Sequence, residues 1–278
     1  MEFLLEPLEY EFFRRALLAA LLVGASGGMI GVYVVLRGMS YVGHGLSHAA
    51  IGGAVVGFTL NLNFYAGAFA MGLLAILTIN KITQNNKIKL DAAIGIVTTA
   101  MFALGVAIVS KLRNFKQNFE AALFGNILGI TDHDLVVIGL VAAITLVTLF
   151  LLYRALLFST FDSEAARVFG IKTESVQFLF SLLLTFSVIA SLNVIGVTMV
   201  AATLIAPAMT ARMLTDSFSK MIIYSTLIGS VTGVIGMYLS YIFNVASGTT
   251  IVLFSALLFS LSLLAKPIHS LSANLMKR

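Results

Sequence analysis

MIIYSTLIGSVTGVIGMYLSYIFNVASGTTIVLFSALLFSLSLLA, residues 221–265, contains no Asp, Glu, Lys or Arg. A membrane-spanning helix needs about 20 predominantly apolar residues. The stretch is therefore read as two spans, near 221–243 and 249–265. Residues 38–80 also lack all four charged types, and apolar runs continue towards the N-terminus near 16–36, 40–60, 64–80, 92–110, 134–153, 176–191 and 194–211. That makes nine runs, two of them short enough to be half-helices. The expected fold class is all-α, a polytopic transmembrane helix bundle of eight or nine spans forming one domain over 1–278.

Composition agrees. Of the 278 residues 59% are hydrophobic and 10% charged, and the mean hydropathy is +1.03. Soluble domains carry roughly 25% charged residues, so a soluble fold is excluded, and disordered and collagen-like readings with it. The net charge of +5 comes from scattered basic residues, which argues against nucleic-acid binding. Cysteine is absent, which removes disulfides, thiolate ligands and a thiol nucleophile.

Lys and Arg favour cytoplasmic loops. With nine spans and the C-terminus inside, the inner loops hold Arg37, Lys81, Lys87, Lys89, Arg154, Arg167, Lys172, Arg212, Lys220, Lys266, Lys277 and Arg278. The outer side holds Arg14, Arg15, Lys111, Arg113 and Lys116. This bias predicts the N-terminus outside and the C-terminus in the cytoplasm. Glu2, Glu6, Glu9 and Glu11 stand where a signal peptide would be basic. Glycines such as Gly24, Gly27, Gly28, Gly52 and Gly53 lie inside spans, where small residues serve close helix packing.

The segment Arg37-Gly38-Met39-Ser40-Tyr41-Val42-Gly43-His44-Gly45-Leu46-Ser47-His48-Ala49 carries the chemistry. His44 and His48 share one helix face, at the spacing that lets two imidazoles reach one metal ion. Counting from Arg37 at the inner rim, His48 lies roughly 16 Å deep at 1.5 Å per residue. Ionisable groups at that depth usually line an ion or proton pathway or face a partner, and the plainer reading is that both histidines only hydrogen-bond neighbouring helices. Two histidines leave a tetrahedral ion incomplete. Glu120 is a candidate further ligand, with a solvated loop carboxylate as the plainer reading. Thr131-Asp132-His133-Asp134 reads as a helix N-cap, with Asp132 or Thr131 capping the next span, and a cation-attracting pathway mouth is the other reading. Residues 161–172 form a mixed-charge amphipathic stretch ended by Gly170, either a surface for a soluble partner or a plain cytoplasmic loop. No phosphate-binding loop and no HExxH pattern occur. The chain is therefore read as a non-enzyme, and any ATPase must be another chain. An intramembrane serine protease built on Ser26 explains less than glycine packing does.

These segments, in order, resemble the integral-membrane permease subunit of ABC importers for divalent transition metals, the zinc/manganese/iron class. The likeness runs from Arg37 to Ala49, through Ala93-Ile94-Gly95-Ile96 to Gly105, Leu123-Phe124-Gly125-Asn126-Ile127-Leu128 and Asp162-Ser163-Glu164-Ala165 to Gly170. It continues at Gly196-Val197 to Arg212 and at Ser247-Gly248-Thr249-Thr250-Ile251-Val252. It implies a multi-pass subunit of a prokaryotic plasma or inner membrane that binds no cofactor itself. A separate ABC ATPase would use the ATP, an extracytoplasmic metal-binding receptor would deliver the ion, and a second permease copy would complete a homodimer. By resemblance, His48 matches the pathway histidine. The family usually has Asp where His44 stands, an exchange that favours zinc over manganese. Asp162, Glu164, Ala165 and Gly170 match the ATPase-coupling segment, and Pro207 a helix break near the pathway. The rival reading is a proton-coupled secondary transporter using the histidine pair.

Overall fold

The computed structural model describes residues 2–83, 88–111, 125 and 127–275. Among them the regular structure is helical: α1 (Glu2–Glu9), α2 (Glu11–Leu36), α3 (Val42–Thr59), α4 (Phe64–Thr83) and α5 (Leu90–Lys111) come first. A 3-10 turn (Ile127–Gly129) precedes α6 (Asp132–Leu151), α7 (Tyr153–Phe161), α8 (Ser163–Val168) and α9 (Thr173–Ile195). The chain ends with α10 (Val200–Leu214), α11 (Phe218–Phe243) and α12 (Ser247–Leu275).

Eight of the nine apolar runs coincide with one helix each, α2 to α6, α9, α11 and α12, and the ninth, near 194–211, takes in α10 and the turn before it. Seven of these are long and apolar enough to cross a membrane. The other two are α3, whose apolarity two histidines dilute, and α10, which has only 15 residues. The run near 194–211 is not one helix. Gly196, at φ +82°, stops α9, and α10 begins only at Val200. Gly196 and Val197 are buried, so the chain turns inside the protein rather than at its surface. Helix α10 then continues through Pro207. The break expected at Pro207 lies instead at 196–199, because a proline removes one helical hydrogen bond whereas a positive φ redirects the backbone.

Glycine packing sets how closely the helices approach. A Cβ added at Gly24 would collide with the carbonyl oxygen of Gly229, one at Gly28 with that of Ser225, and one at Gly233 with that of Ala20. Helices α2 and α11 thus touch backbone to backbone, and Ser225 Oγ donates a hydrogen bond across the seam to Gly28 O. On α3, Gly53 packs on Gly67 of α4 and Gly52 on Met101 and Gly105 of α5. Such contacts replace the hydrophobic drive that lipid cannot supply.

Two polar layers mark the ends of the bundle. At one end Arg15 pairs with Asp132 at 2.7 Å, and Tyr65 hydrogen-bonds Asp134. At the other, Asn80 Nδ2 donates to Ser181 Oγ at 2.8 Å, and Arg37 reaches α7 and α9.

Candidate functional site

The histidine helix begins immediately after the end of α2. Arg37 closes α2, and Gly38 turns the chain at φ +68°. Gly38 N donates to Val35 O and Met39 N to Val34 O, the paired bonds of a Schellman turn. Val42 N then donates to Met39 O, so α3 starts from a fixed geometry. One helical turn separates His44 from His48. Their rings meet edge to face with centroids 4.5 Å apart, and Phe102 of α5 lies 5.1 Å from His48. Gly45 admits Ile94 and Thr98 of α5, which keeps both rings beside that helix.

The pair lines a cleft of about 460 Å³ with Tyr41, Asp91, Thr98, Thr99 and Phe102. His44 is exposed and His48 half-buried. His48 Nδ1 is buried with no hydrogen-bond partner among the described residues, so packing rather than a hydrogen bond orients the ring. Asp91, in the first turn of α5, was not singled out by the sequence reading. It belongs to another helix, and no spacing along the chain connects it to the histidines. Among the described residues, no three His, Asp or Glu side chains come close enough to hold an ion. The chain thus presents two imidazoles on an open face. Glu120 lies outside the described residues, as do Leu123, Phe124 and Asn126 of the Leu-Phe-Gly-Asn segment.

The 161–172 stretch is a capped helix. Asp162 Oδ1 accepts from Glu164 N and Ala165 N, which starts α8. Gly170, at φ +79°, ends it: Gly170 N donates to Arg167 O and Ile171 N to Ala166 O. Val168 and Phe169 are 86% and 76% exposed, an apolar knob on a polar helix. Helix α7, directly before it, went unforeseen in the sequence.

Arg37 is the best-connected polar side chain at this end. Its guanidinium donates to Thr160 Oγ1 at 3.1 Å, Ser159 Oγ at 3.1 Å and Gln177 Oε1 at 2.6 Å, and it stacks over the Phe180 ring at 4.3 Å. Burial pulls its pKa down to about 10, so it stays protonated at neutral pH. No carboxylate pairs with it among the described residues. At the opposite end, Thr131 and Asp134 form the reciprocal capping box of α6, which bears out the capping reading of that turn.

Residues 9–266 match the family model described as the ABC 3 transport family. The chain belongs to that family. Among relatives of the ABC 3 chain is the manganese transport system membrane protein MntC of Listeria monocytogenes, 37% identical over 267 residues, or 96% of this chain and 95% of that one. The manganese import system permease protein ScaB of Streptococcus gordonii is 36% identical over 259 residues, 93% of each chain. The solved structure of PsaBC from Streptococcus pneumoniae in complex with Fab superposes with a TM-score of 0.84 at 35% identity, covering 94% of both chains. Family membership and the seven span-length helices make this ABC 3 chain a multi-pass transport subunit of the cell membrane. The proton-coupled alternative finds no support in these likenesses.

Proposed function

We propose that this chain is the membrane subunit of an ATP-driven importer of a divalent transition metal ion, and that His44 and His48 bind the ion in transit. The observation that carries this is the imidazole pair on the open wall of a cleft between α3 and α5, in a chain whose relatives bear the names of manganese importers. The donor set of this chain is nitrogen, which suits zinc better than a carboxylate would. Zinc is therefore assigned as a substrate beside manganese, with iron third.

Orientation follows from charge. Arg37, Lys81, Lys89, Arg154, Arg167, Lys172, Arg212 and Lys220 flank the helix ends at the Arg37 side, which supports a cytoplasmic position for that end and for the C-terminus. An extracytoplasmic receptor then delivers the ion at the Asp132 end, and an ABC ATPase docks on the 161–172 segment.

A second permease copy completes the path. The exposed face of α5 carries a patch of small residues, Ala92, Gly95, Thr99, Ala100 and Ala103, beside exposed Ile96, Leu104 and Val106, whereas α6 exposes mainly branched ones, Val136, Leu140, Ile144, Val147 and Leu151. Small residues suit a helix neighbour, and branched ones suit lipid. Pairing across α5 brings two histidine clefts together and supplies the ligands that one chain lacks.

The test is metal uptake by proteoliposomes holding the chain with its ATPase and loaded receptor. His48→Ala is expected to reduce uptake by at least about 10- to 100-fold, the range seen when even an outer partner of a metal ligand is lost. Undiminished uptake by His44→Ala/His48→Ala would remove the histidines from the path.

A further inference from the structure

We propose that Arg37 is a positioning residue that transmits movement of the 161–172 segment to the histidine helix; this rests on the transport reading above. Three features join in one side chain. Ser159 and Thr160, which accept from Arg37, lie at the end of α7. Their hydroxyls donate back to Leu156 O, which leaves their lone pairs for the guanidinium. Asp162, two residues beyond Thr160, is at once the C-cap of α7 and the N-cap of α8. A displacement of α8 therefore reaches Thr160 through a shared cap.

On its other side, Arg37 closes α2, and the Schellman turn described above ties it to the start of α3. His44 follows seven residues later. Met39 and Val42 in this turn are buried, so it is held by packing as well as by its hydrogen bonds. A third arm runs through Gln177, whose Nε2 donates to Asn80 Oδ1 at 3.4 Å, while Asn80 donates to Ser181. Arg37 thus joins α2, α7 and α9 directly and α4 through one intermediary.

The chemistry of the cage suits a moving joint. Hydroxyls, an amide and an aromatic face all hold a guanidinium with little directional penalty, and none carries a charge. A buried carboxylate partner would resist separation far more strongly. The planar fork reaches α7 and α9 simultaneously, a geometry that a lysine cannot reproduce.

The experiment compares uptake of radioactive zinc or manganese with ATP hydrolysis in the same proteoliposomes. These hold the full complex carrying the natural chain, Arg37→Met, or Ser159→Ala/Thr160→Ala. Arg37→Met is expected to keep hydrolysing ATP while ions moved per ATP fall about tenfold, within the usual span of coupling between sites. The double variant, which leaves Arg37 and its charge in place, is expected to shift the same ratio in the same direction by less. A merely structural Arg37 would lower both activities in proportion, and that result overturns the inference. An unchanged ratio in both variants also overturns it. If Arg37→Met fails to assemble, the double variant alone decides. Failure of the natural complex to couple ATP to uptake overturns the transport reading, and this inference with it.

Discussion

A ligand histidine must be neutral, and free imidazole titrates near pH 6.5. Protons therefore compete with metal at the histidine pair, and uptake is expected to weaken as the pH falls into the acid range. Uptake measured from pH 5 to 8, with the receptor shown to stay loaded, checks this; a flat profile removes histidine ligation. His44→Asp restores a hard oxygen donor and is expected to move the preference from zinc towards manganese, read by competition between the two radioactive ions. The histidine pair was legible from sequence because both rings sit on one helix at a fixed spacing. Asp91 and Phe102, which share the cleft, come from α5, and only packing brings them there. Arg37 registered in the sequence as a charge that orients the chain; its four contacts lie 122 to 143 positions away along the chain.

The α2–α11 seam shows how little space separates the helices. Gly229→Val places a branched side chain against the Gly24 backbone and is expected to cost at least the about 1–3 kcal/mol typical of overpacking. The loss should appear as a lower thermal midpoint of the detergent-purified chain. Gly139 has open space around its Cβ position, and Gly139→Val serves as the control with little change beyond helix propensity. Hydropathy located the nine apolar helices among the described residues, since apolar run length is a local property. It misplaced the start of α10, where a single positive φ at Gly196 matters more than a continuous apolar run. It also passed over α7, a nine-residue helix of mixed polarity that has no span signature.

At the scale of the molecule, charge asymmetry between the two ends is the feature that supports the orientation proposed above. The chain has no cysteine, so one introduced thiol is unique. A cysteine at exposed Ser110, beside Lys111, is expected to react with an impermeant reagent from outside intact cells. One at exposed Asp216, between α10 and α11, should react only after permeabilisation. The reverse pattern would invert the bundle. On the paired arrangement proposed above, each chain would hold half an ion path, and a subunit stranded in the membrane without its twin would have no continuous line of ligands across the bilayer. Surplus permease is then electrically silent, and overproduction of this subunit alone should leave membrane potential and metal tolerance untouched.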